Sequence, residues 1–390
     1  MATPFHMVSD LRPVYLPGVA QAEPLIGHFH LPAIPNDLVD VSNGKFMGKT
    51  DLGDGYTRWD WHIQYPINNY SVSLNIGHYT HFSDEVDGRT LDFYCLPGNL
   101  EKARAQFSQA KTMMQAFQKY IGPYPFRKDG YKLIEVPYSG MEHQSAVTYG
   151  NRFANGYLER DWTGVRISPR FDFIIIHESA HEWWANSITY KDIADMWIHE
   201  SFANYSENLF VEYFYGNQAG KEYARGTRKN IWNDSPIIGF YDVNHEGSGD
   251  MYPKGGNMLH TLRQIVNDDK KWREILRGIN REFYHQVVTG AQVEKFMSEK
   301  TGIDLQSFFD QYLRDIRIPV FEYYIKDREL IFRWNNCVKG FDMPLKVYVS
   351  GKPLNIKPKG TFSTVMLDTS SAEIKVDPGY YVGVLNITGN

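Results

Sequence analysis

In the stretch His177-Glu178-Ser179-Ala180-His181, two imidazoles stand four positions apart with a carboxylate next to the first. On a helix, positions i and i+4 lie one above the other on one face, so both rings can converge on a single cation, each at about 2.0–2.1 Å if the ion is zinc. Glu178 projects about 100° round the helix from His177. From there a carboxylate reaches water beside the cation without competing for the cation, which is the position a general base needs. Histidine pairs of this kind also occur by chance on exposed or core faces. Here Ile174-Ile175-Ile176 precedes the pair and Trp183-Trp184 follows it. Such a helix is apolar enough to be buried, and unpaired buried imidazoles beside a buried carboxylate are costly without a cation.

A catalytic zinc site commonly takes three protein ligands and keeps one position open. Glu200 supplies the third donor, after eighteen intervening residues from His181. That gap lets one helix end, a short turn follow, and a second helix return antiparallel. The rivals are His199, which points roughly 100° away on the same helix, and Glu207, two turns further along the Glu200 face. Glu207 reads better as the acceptor for the outer N–H of a ligand imidazole, although a surface carboxylate is the plainer alternative.

These side chains need a scaffold. The histidine helix is expected to start at Ser168-Pro169, with Ser as cap and Pro at the first helical position, and to run to about Asn186. One helix is expected over 100–120, where Leu100, Ala103, Phe107, Ala110, Met114, Phe117 and Tyr120 recur every three to four residues until Gly122-Pro123. Others are expected over 194–215, 254–266, 270–284, 291–300 and 305–315, with a strand over 131–136. Upstream, Pro13, Pro17, Pro24, Pro32 and Pro35 argue against regular structure before Leu38; segments 38–41, 56–63 and 70–76 then read as strands. Short alternating segments return at 321–324, 330–334 and 345–349.

At about 150 residues per domain, 390 residues make two to three domains. The expected class is multidomain α+β: a shortened N-terminal β domain over 1–95, a mostly helical catalytic domain over 96–318 and a C-terminal β-sandwich over 319–390. Lys plus Arg number 41 against 46 Asp plus Glu, so nucleic acid is not an expected partner. Aromatic residues at 15% suit clefts that receive peptides or sugars. No apolar run reaches the ~18 residues of a membrane-spanning helix, and Met1 to Gln21 do not read as a signal peptide. The chain as written is expected to be soluble: cytoplasmic, or periplasmic or secreted if a precursor carries a signal. Cys95 and Cys337 are too far apart in sequence to indicate a metal site.

The order His177-Glu178-Ser179-Ala180-His181, then Trp197-Ile198-His199-Glu200-Ser201-Phe202-Ala203, resembles the zinc signature of the aminopeptidase N family of zinc metallopeptidases, which includes the leukotriene hydrolases. Ser139-Gly140-Met141-Glu142-His143 resembles that family's Gly-Ala-Met-Glu-Asn exopeptidase motif, and Tyr252-Pro253-Lys254-Gly255 its Tyr-x-Lys-Gly segment. The resemblance runs from about residue 37 to the end and is most specific between 131 and 260. It implies a thermolysin-like catalytic domain and one Zn²⁺ per chain on His177, His181 and Glu200, with Glu178 as base. It further implies that Tyr252 donates to the developing oxyanion, that Glu142 grips the free α-amine of a peptide substrate, and that Gly140 and Met141 hold the substrate backbone as an added strand. The implied activity is release of N-terminal amino acids from peptides with a free N-terminus. His143 stands where Asn is typical and Ser139 where Gly is typical. The family's N-terminal β domain is roughly twice as long as the one available here, and the polar anchor it adds for the α-amine has no counterpart. Two alternatives follow: a zinc endopeptidase of thermolysin type, which would ignore the N-terminal amine, and an inactive peptide-binding homologue with an incomplete N-terminal domain.

Overall fold

The computed structural model describes residues 25–30 and 33–387. Strand β1 (Leu25–His30) runs between Pro24 and Pro32 and pairs antiparallel with β5 (Tyr56–Ile67), which also takes β2 (Ile34–Pro35) and β4 (Lys45–Asp51). Regular structure thus begins before Leu38, contrary to the sequence expectation. Pro35 sits on the short edge strand β2, where its missing N–H is tolerated. The part of that expectation covering residues 1–24 lies outside the described residues. Strand β3 (Val39–Ser42) pairs with β6 (Leu74–Gly77). The single strand expected over 70–76 is a 3₁₀ turn, Asn69–Ser71, followed by β6.

Strands β7 (Thr80–Val86) and β8 (Arg89–Cys95) form a hairpin, and β8 continues in parallel to β9 (Tyr131–Glu135). β9 pairs in parallel with β11 (Val147–Tyr149), and β10 (Gly140–Met141) closes the edge antiparallel to β11. This five-stranded sheet, order β10-β11-β9-β8-β7, carries the chain across residue 95 without interruption. Helices α1 (Leu100–Phe107) and α2 (Gln109–Tyr120) replace the one helix expected over 100–120. At the break, Ser108 Oγ donates to the Ala105 carbonyl at 2.6 Å, the back-bonding that bends helices.

The histidine helix α3 (Phe173–Ala180) starts four residues later and ends earlier than expected. Ser168 spends its hydroxyl on Asp161 at 2.7 Å, inside a separate 3₁₀ turn Ser168–Arg170. The cap is Asp172, which accepts from Ile175 N at 3.3 Å. After His181 the chain unwinds through a π-type turn, Glu182–Asn186, with Trp184 at φ −117°, ψ 60°. Strand β12 (Ile188–Tyr190) leads to α4 (Trp197–Tyr215), which packs against α3, α2 and the two helices that follow in the chain, α5 (Asn217–Thr227) and α6 (Pro253–Val266). α5 was not expected: its sequence is glycine-rich, and Gly220 and Gly226 let it lie close to Glu212 and Thr163. Helices α7 (Asp269–Glu282), α8 (Gly290–Thr301) and α9 (Gln306–Leu313) complete this part, with β13 (Gln286–Val288) pairing in parallel with β12.

Two further sheets follow. β14 (Val320–Lys326), β15 (Glu329–Asn335), β18 (Ser363–Met366) and β20 (Gly383–Asn386) form one; β16 (Leu345–Val349), β17 (Lys352–Ile356) and β19 (Ile374–Val376) the other. Phe321, Leu330, Phe332 and Trp334 from the first and Leu345, Val347 and Ile374 from the second are buried in the same hydrophobic cluster that contains the α3 and α4 cores. The molecule is therefore of mixed helix and strand content with several sheets, consistent with a multidomain α+β class. Among the described residues no helix is long and apolar enough to cross a membrane, and both cysteines are free thiols.

Candidate active site

α3 and α4 bring together His177, His181 and Glu200, whose ligand-capable atoms all lie within 4.8 Å of one another. The Nε2 atoms of the two histidines are 3.3 Å apart, and Glu200 Oε2 is 3.4 Å from each. At these distances Oε2 makes no hydrogen bond of good geometry and is buried without one. The outer nitrogens are satisfied. His177 Nδ1 donates to Glu207 Oε1 at 2.8 Å, and His181 Nδ1 donates to the Trp184 carbonyl at 3.1 Å. A carboxylate and a carbonyl only accept, so both protons sit on Nδ1 and the two Nε2 lone pairs face each other and Glu200.

That arrangement attracts positive charge. Burial opposes a charged His177, but Glu200 and Glu207 outweigh it and hold the ring's pKa well above the ordinary 6.5. Burial likewise opposes ionised Glu200, but His181 and His177 hold it far below the usual carboxylate range. Two imidazole nitrogens and a carboxylate oxygen, with converging lone pairs and an orphaned Oε2, fit a divalent cation with the ligand preferences of zinc.

Glu207 lies wholly inside the protein and also accepts from Asn204 Nδ2 at 3.2 Å and from the Tyr223 hydroxyl at 2.5 Å. His199 is turned away: its Nε2 accepts from Tyr190 N at 3.1 Å, its ring stacks on Tyr190, and burial lowers its pKa to about 3. Of the three candidates for third ligand, the structure brings only Glu200 to the two Nε2 atoms; Glu207 meets His177 from its Nδ1 side.

Glu178 shares this space. Burial raises its pKa to about 7, with the histidines opposing and the Glu142 and Glu200 carboxylates reinforcing the shift. Glu142 is half-buried, and burial raises its carboxyl too, against the pull of His181. Gly140, at φ +154°, lies directly over this group: a Cβ there would come within 2.7 Å of Ile174 Cγ2 and 3.2 Å of Glu178 Cγ. Gly140 and Met141 form β10, which sits at the sheet edge with Gly140 opposite Tyr149 and Met141 opposite Thr148. Its outer side has no strand partner among the described residues. Tyr252 precedes α6, with its ring 5.8 Å from that of His177. The Glu200 carboxylate first, then burial, pushes its phenol well above the ordinary 10. Close approach of α6 to α4 sets this placement. A Cβ on Gly255 would overlap Ser201 Oγ and lie 2.6 Å from Ser201 Cβ. Lys254 anchors the same turn by donating to the Asp315 carbonyl at 2.8 Å.

Sequence reasoning missed the residues that hold these groups. Asn204 and Tyr223 fix Glu207, and only the i, i+3 spacing of Asn204 and Glu207 hinted at it. Glu182 and Asn186, in the turn after α3, reach the segment that carries Glu142. Glu182 Oε1 accepts from Ser145 N at 2.8 Å, and Asn186 Nδ2 donates to the Glu142 carbonyl at 2.8 Å. An acid and an amide inside a run of buried tryptophan were the available signal.

The family model described as the Peptidase family M1 domain matches residues 105–312, more than half of the 390-residue chain. A leucyl aminopeptidase of Saccharolobus solfataricus is 22% identical over 344 residues, covering 81% of this chain and 42% of that protein. Aminopeptidase M1 of Arabidopsis thaliana is 23% identical over 312 residues, 76% of this chain and 35% of its own length. Aminopeptidase N of Lactococcus lactis subsp. lactis is 26% identical over 239 residues, 55% and 27% of the two chains. The chain thus spans about two-fifths or less of the length of these relatives. The matched stretch contains α3, α4 and the turn before α6 that carry the histidines, Glu200 and Tyr252, and by it this chain belongs to peptidase family M1.

Proposed function

We propose that the protein is a zinc-dependent aminopeptidase that hydrolyses the first peptide bond of substrates with a free N-terminus. The observation that carries this reading is the convergence of the two Nε2 lone pairs and Glu200 Oε2, with Glu142 close enough to Glu178 to raise its pKa. His177, His181 and Glu200 would hold the ion. When bound, it supplies Lewis acidity to water and to the scissile carbonyl.

The chain's own groups do the rest. Glu178, raised to about 7 by burial, takes the proton from the attacking water as its oxygen bonds to the carbonyl carbon. The Tyr252 phenol, held protonated by Glu200 beside it, donates to the oxyanion that develops. As the C–N bond breaks, Glu178 returns the proton to the leaving amine. Glu142 pairs with the substrate's α-ammonium and sets the register at one residue. Strand β10 offers its outer edge to the peptide backbone. In this reading the helical part is a thermolysin-like catalytic domain, and the two C-terminal sheets make a β-sandwich.

Two measurements test the proposal. An unblocked peptide should be cleaved and its N-acetylated form left intact; equal cleavage of both would make the enzyme an endopeptidase. Glu178→Gln should keep near-stoichiometric zinc and lose turnover, and retained turnover would remove Glu178 as the base.

A further inference from the structure

Residues 142–145 are held one after another, and most of the holding groups come from outside the catalytic helices. The Glu142 carbonyl accepts from Asn186 Nδ2 at 2.8 Å, and Asn186 Oδ1 in turn accepts from Ser71 Oγ at 2.9 Å. His143 Nδ1 donates to the Ser71 carbonyl at 3.3 Å. The Gln144 carbonyl accepts from Asn43 Nδ2 at 2.6 Å, and Ser145 Oγ accepts from Gly44 N at 2.8 Å. Asn43 is fully used: Nδ2 also donates to the Ser71 carbonyl at 2.9 Å, and Oδ1 accepts from Ser73 N at 2.7 Å. Asn43 and Ser71 are 0% exposed and Asn186 4%.

The chemistry explains the residue types. A buried amide presents donors and an acceptor in one rigid plane, so Asn43 can tie 71–73 to 144 while satisfying backbone groups that have no ladder partner. The turn Ser42-Asn43-Gly44 is also bound from the sheet side, where Lys132 Nζ donates to the Gly44 carbonyl at 2.6 Å. A small hydrophobic cluster of Ile34, Val41, Trp59 and Trp61 with Ile134 and Ala146 packs the N-terminal strands against the same region. None of Asn43, Ser71 or Asn186 is among the metal-ligating or reacting groups.

We propose that Asn43, Ser71 and Asn186 are positioning residues for recognition of the substrate's α-amine: through the Glu142 carbonyl and the Gln144 carbonyl they fix where the Glu142 carboxylate stands relative to the histidine pair. The N-terminal strands thereby help to set the one-residue register of cleavage. This rests on the reading of Glu142 as the amine anchor. A carboxylate held on a slack segment still pairs with an ammonium, but at the cost of ordering it on binding, and a displacement of about 1 Å is enough to weaken a positioned contact severely.

The test uses Ser71→Ala, Asn43→Ala and the rescue variant Ser71→Thr in the full chain, with Glu142→Ala as reference. The substrate is an aminoacyl anilide with a free α-amine, and its N-acetyl form serves as competitive inhibitor. For Ser71→Ala and Asn43→Ala the expected result is a KM higher by about tenfold with kcat changed less than about threefold, the pattern of lost ground-state binding. Zinc content and the inhibition constant of the acetylated compound stay unchanged, and Ser71→Thr restores the KM. If Asn43→Ala does not fold, Ser71→Ala alone decides. Should Glu142→Ala leave KM for the free-amine substrate unchanged, the anchor reading itself falls. Where Glu142→Ala raises that KM while folded Ser71→Ala keeps the wild-type value, or lowers kcat equally for all compounds, the positioning proposal is overturned and the anchor reading stands.

Discussion

Glu207→Gln and Glu207→Ala separate what the buried carboxylate does by its charge from what it does by its shape. Its Oε1 accepts from His177 Nδ1 at 2.8 Å and from Asn204 Nδ2 at 3.2 Å, and its Oε2 accepts from the Tyr223 hydroxyl at 2.5 Å. Glutamine can keep this geometry, with its amide oxygen toward His177 and Asn204 and its NH₂ toward Tyr223, whose hydroxyl turns to accept. What it loses is the negative charge, which makes the His177 hydrogen bond roughly twice as strong as a neutral one and raises the basicity of Nε2. Alanine loses the geometry as well and strands three buried donors at about 1–3 kcal/mol each.

The expected order of zinc affinity is therefore wild type, then Gln lower by about five- to tenfold, then Ala lower by about 10–100-fold, or about 1.4–2.7 kcal/mol. Competition against a chromophoric chelator at neutral pH measures this directly. Thermal unfolding of the same metal-free proteins should separate Ala, clearly destabilised, from Gln, nearly wild type. Wild-type zinc affinity in both variants, or a Gln variant weaker than Ala, would refute the reasoning that Glu207 acts on the metal through His177.

Tyr252→Phe should lower kcat by about 10²–10³, or about 2.7–4 kcal/mol, as for a lost oxyanion donor; steady-state kinetics that moved KM alone would remove that role. Gly255→Ala places a methyl group against Ser201, so overpacking of α6 on α4 should cost about 1–3 kcal/mol in unfolding experiments and displace Tyr252, lowering kcat too. An unchanged melting temperature would contradict the tight packing. Asp40 gives a pH-dependent test. Burial raises its pKa from 3.8 to about 7 despite the bond it accepts from Trp61 Nε1 at 2.8 Å. Between those values the folded chain keeps a proton that the unfolded chain has released, so this stability is complete below 3.8 and is lost as pH rises through about 7. Asp40→Asn keeps the Trp61 bond and cannot ionise. Its melting temperature should overtake that of the wild type between about pH 5 and about pH 8, and parallel curves would contradict the buried acid.

The sequence made the chemistry more legible than the scaffold. Spacing alone placed His177 and His181 on one helical face, because i, i+4 periodicity is a property of the backbone and needs no tertiary information; the eighteen-residue gap brought a second helix back with Glu200 but left His199 and Glu207 as rivals. Motif resemblance singled out Glu142 and Tyr252, which composition could not have distinguished among 26 tyrosines. What stayed hidden was set by contacts between distant segments. Ser168 is a good cap by type, yet Asp161 takes its hydroxyl, and Asp172 caps the helix instead. α5 is polar overall and carries two glycines in eleven residues, and its buried face of Gly220, Tyr223 and Ala224 is recognised only once α4 and α6 supply a surface for it. Asn43 reads as a turn residue and Ser71 as part of a strand, and nothing local says that 101 residues downstream of Asn43 a carbonyl awaits its amide.

The turn after His181 ties these threads together. Had α3 continued to Asn186, the Trp184 carbonyl would have pointed along the axis to accept from the N–H four residues on. It could not then have faced back to His181 Nδ1, and the tautomer that aims Nε2 inward would have lost its acceptor. Instead Asn186 N donates to the His181 carbonyl at 2.9 Å and Ser187 N to the Glu182 carbonyl at 3.2 Å, bonds five residues long that free Trp184. The two indoles can then reach opposite walls: Trp183 Nε1 donates to the Gly122 carbonyl at 3.1 Å, and Trp184 Nε1 to Ser206 Oγ at 3.0 Å. The same departure from the helix carries Glu182 and Asn186 to the 142–145 segment. One local distortion thus orients His181, a proposed metal ligand, on one side and the Glu142 backbone on the other, and π-type turns are frequent at functional sites. Its cause lies in what surrounds it, since no proline or glycine breaks the chain between His181 and Ser187.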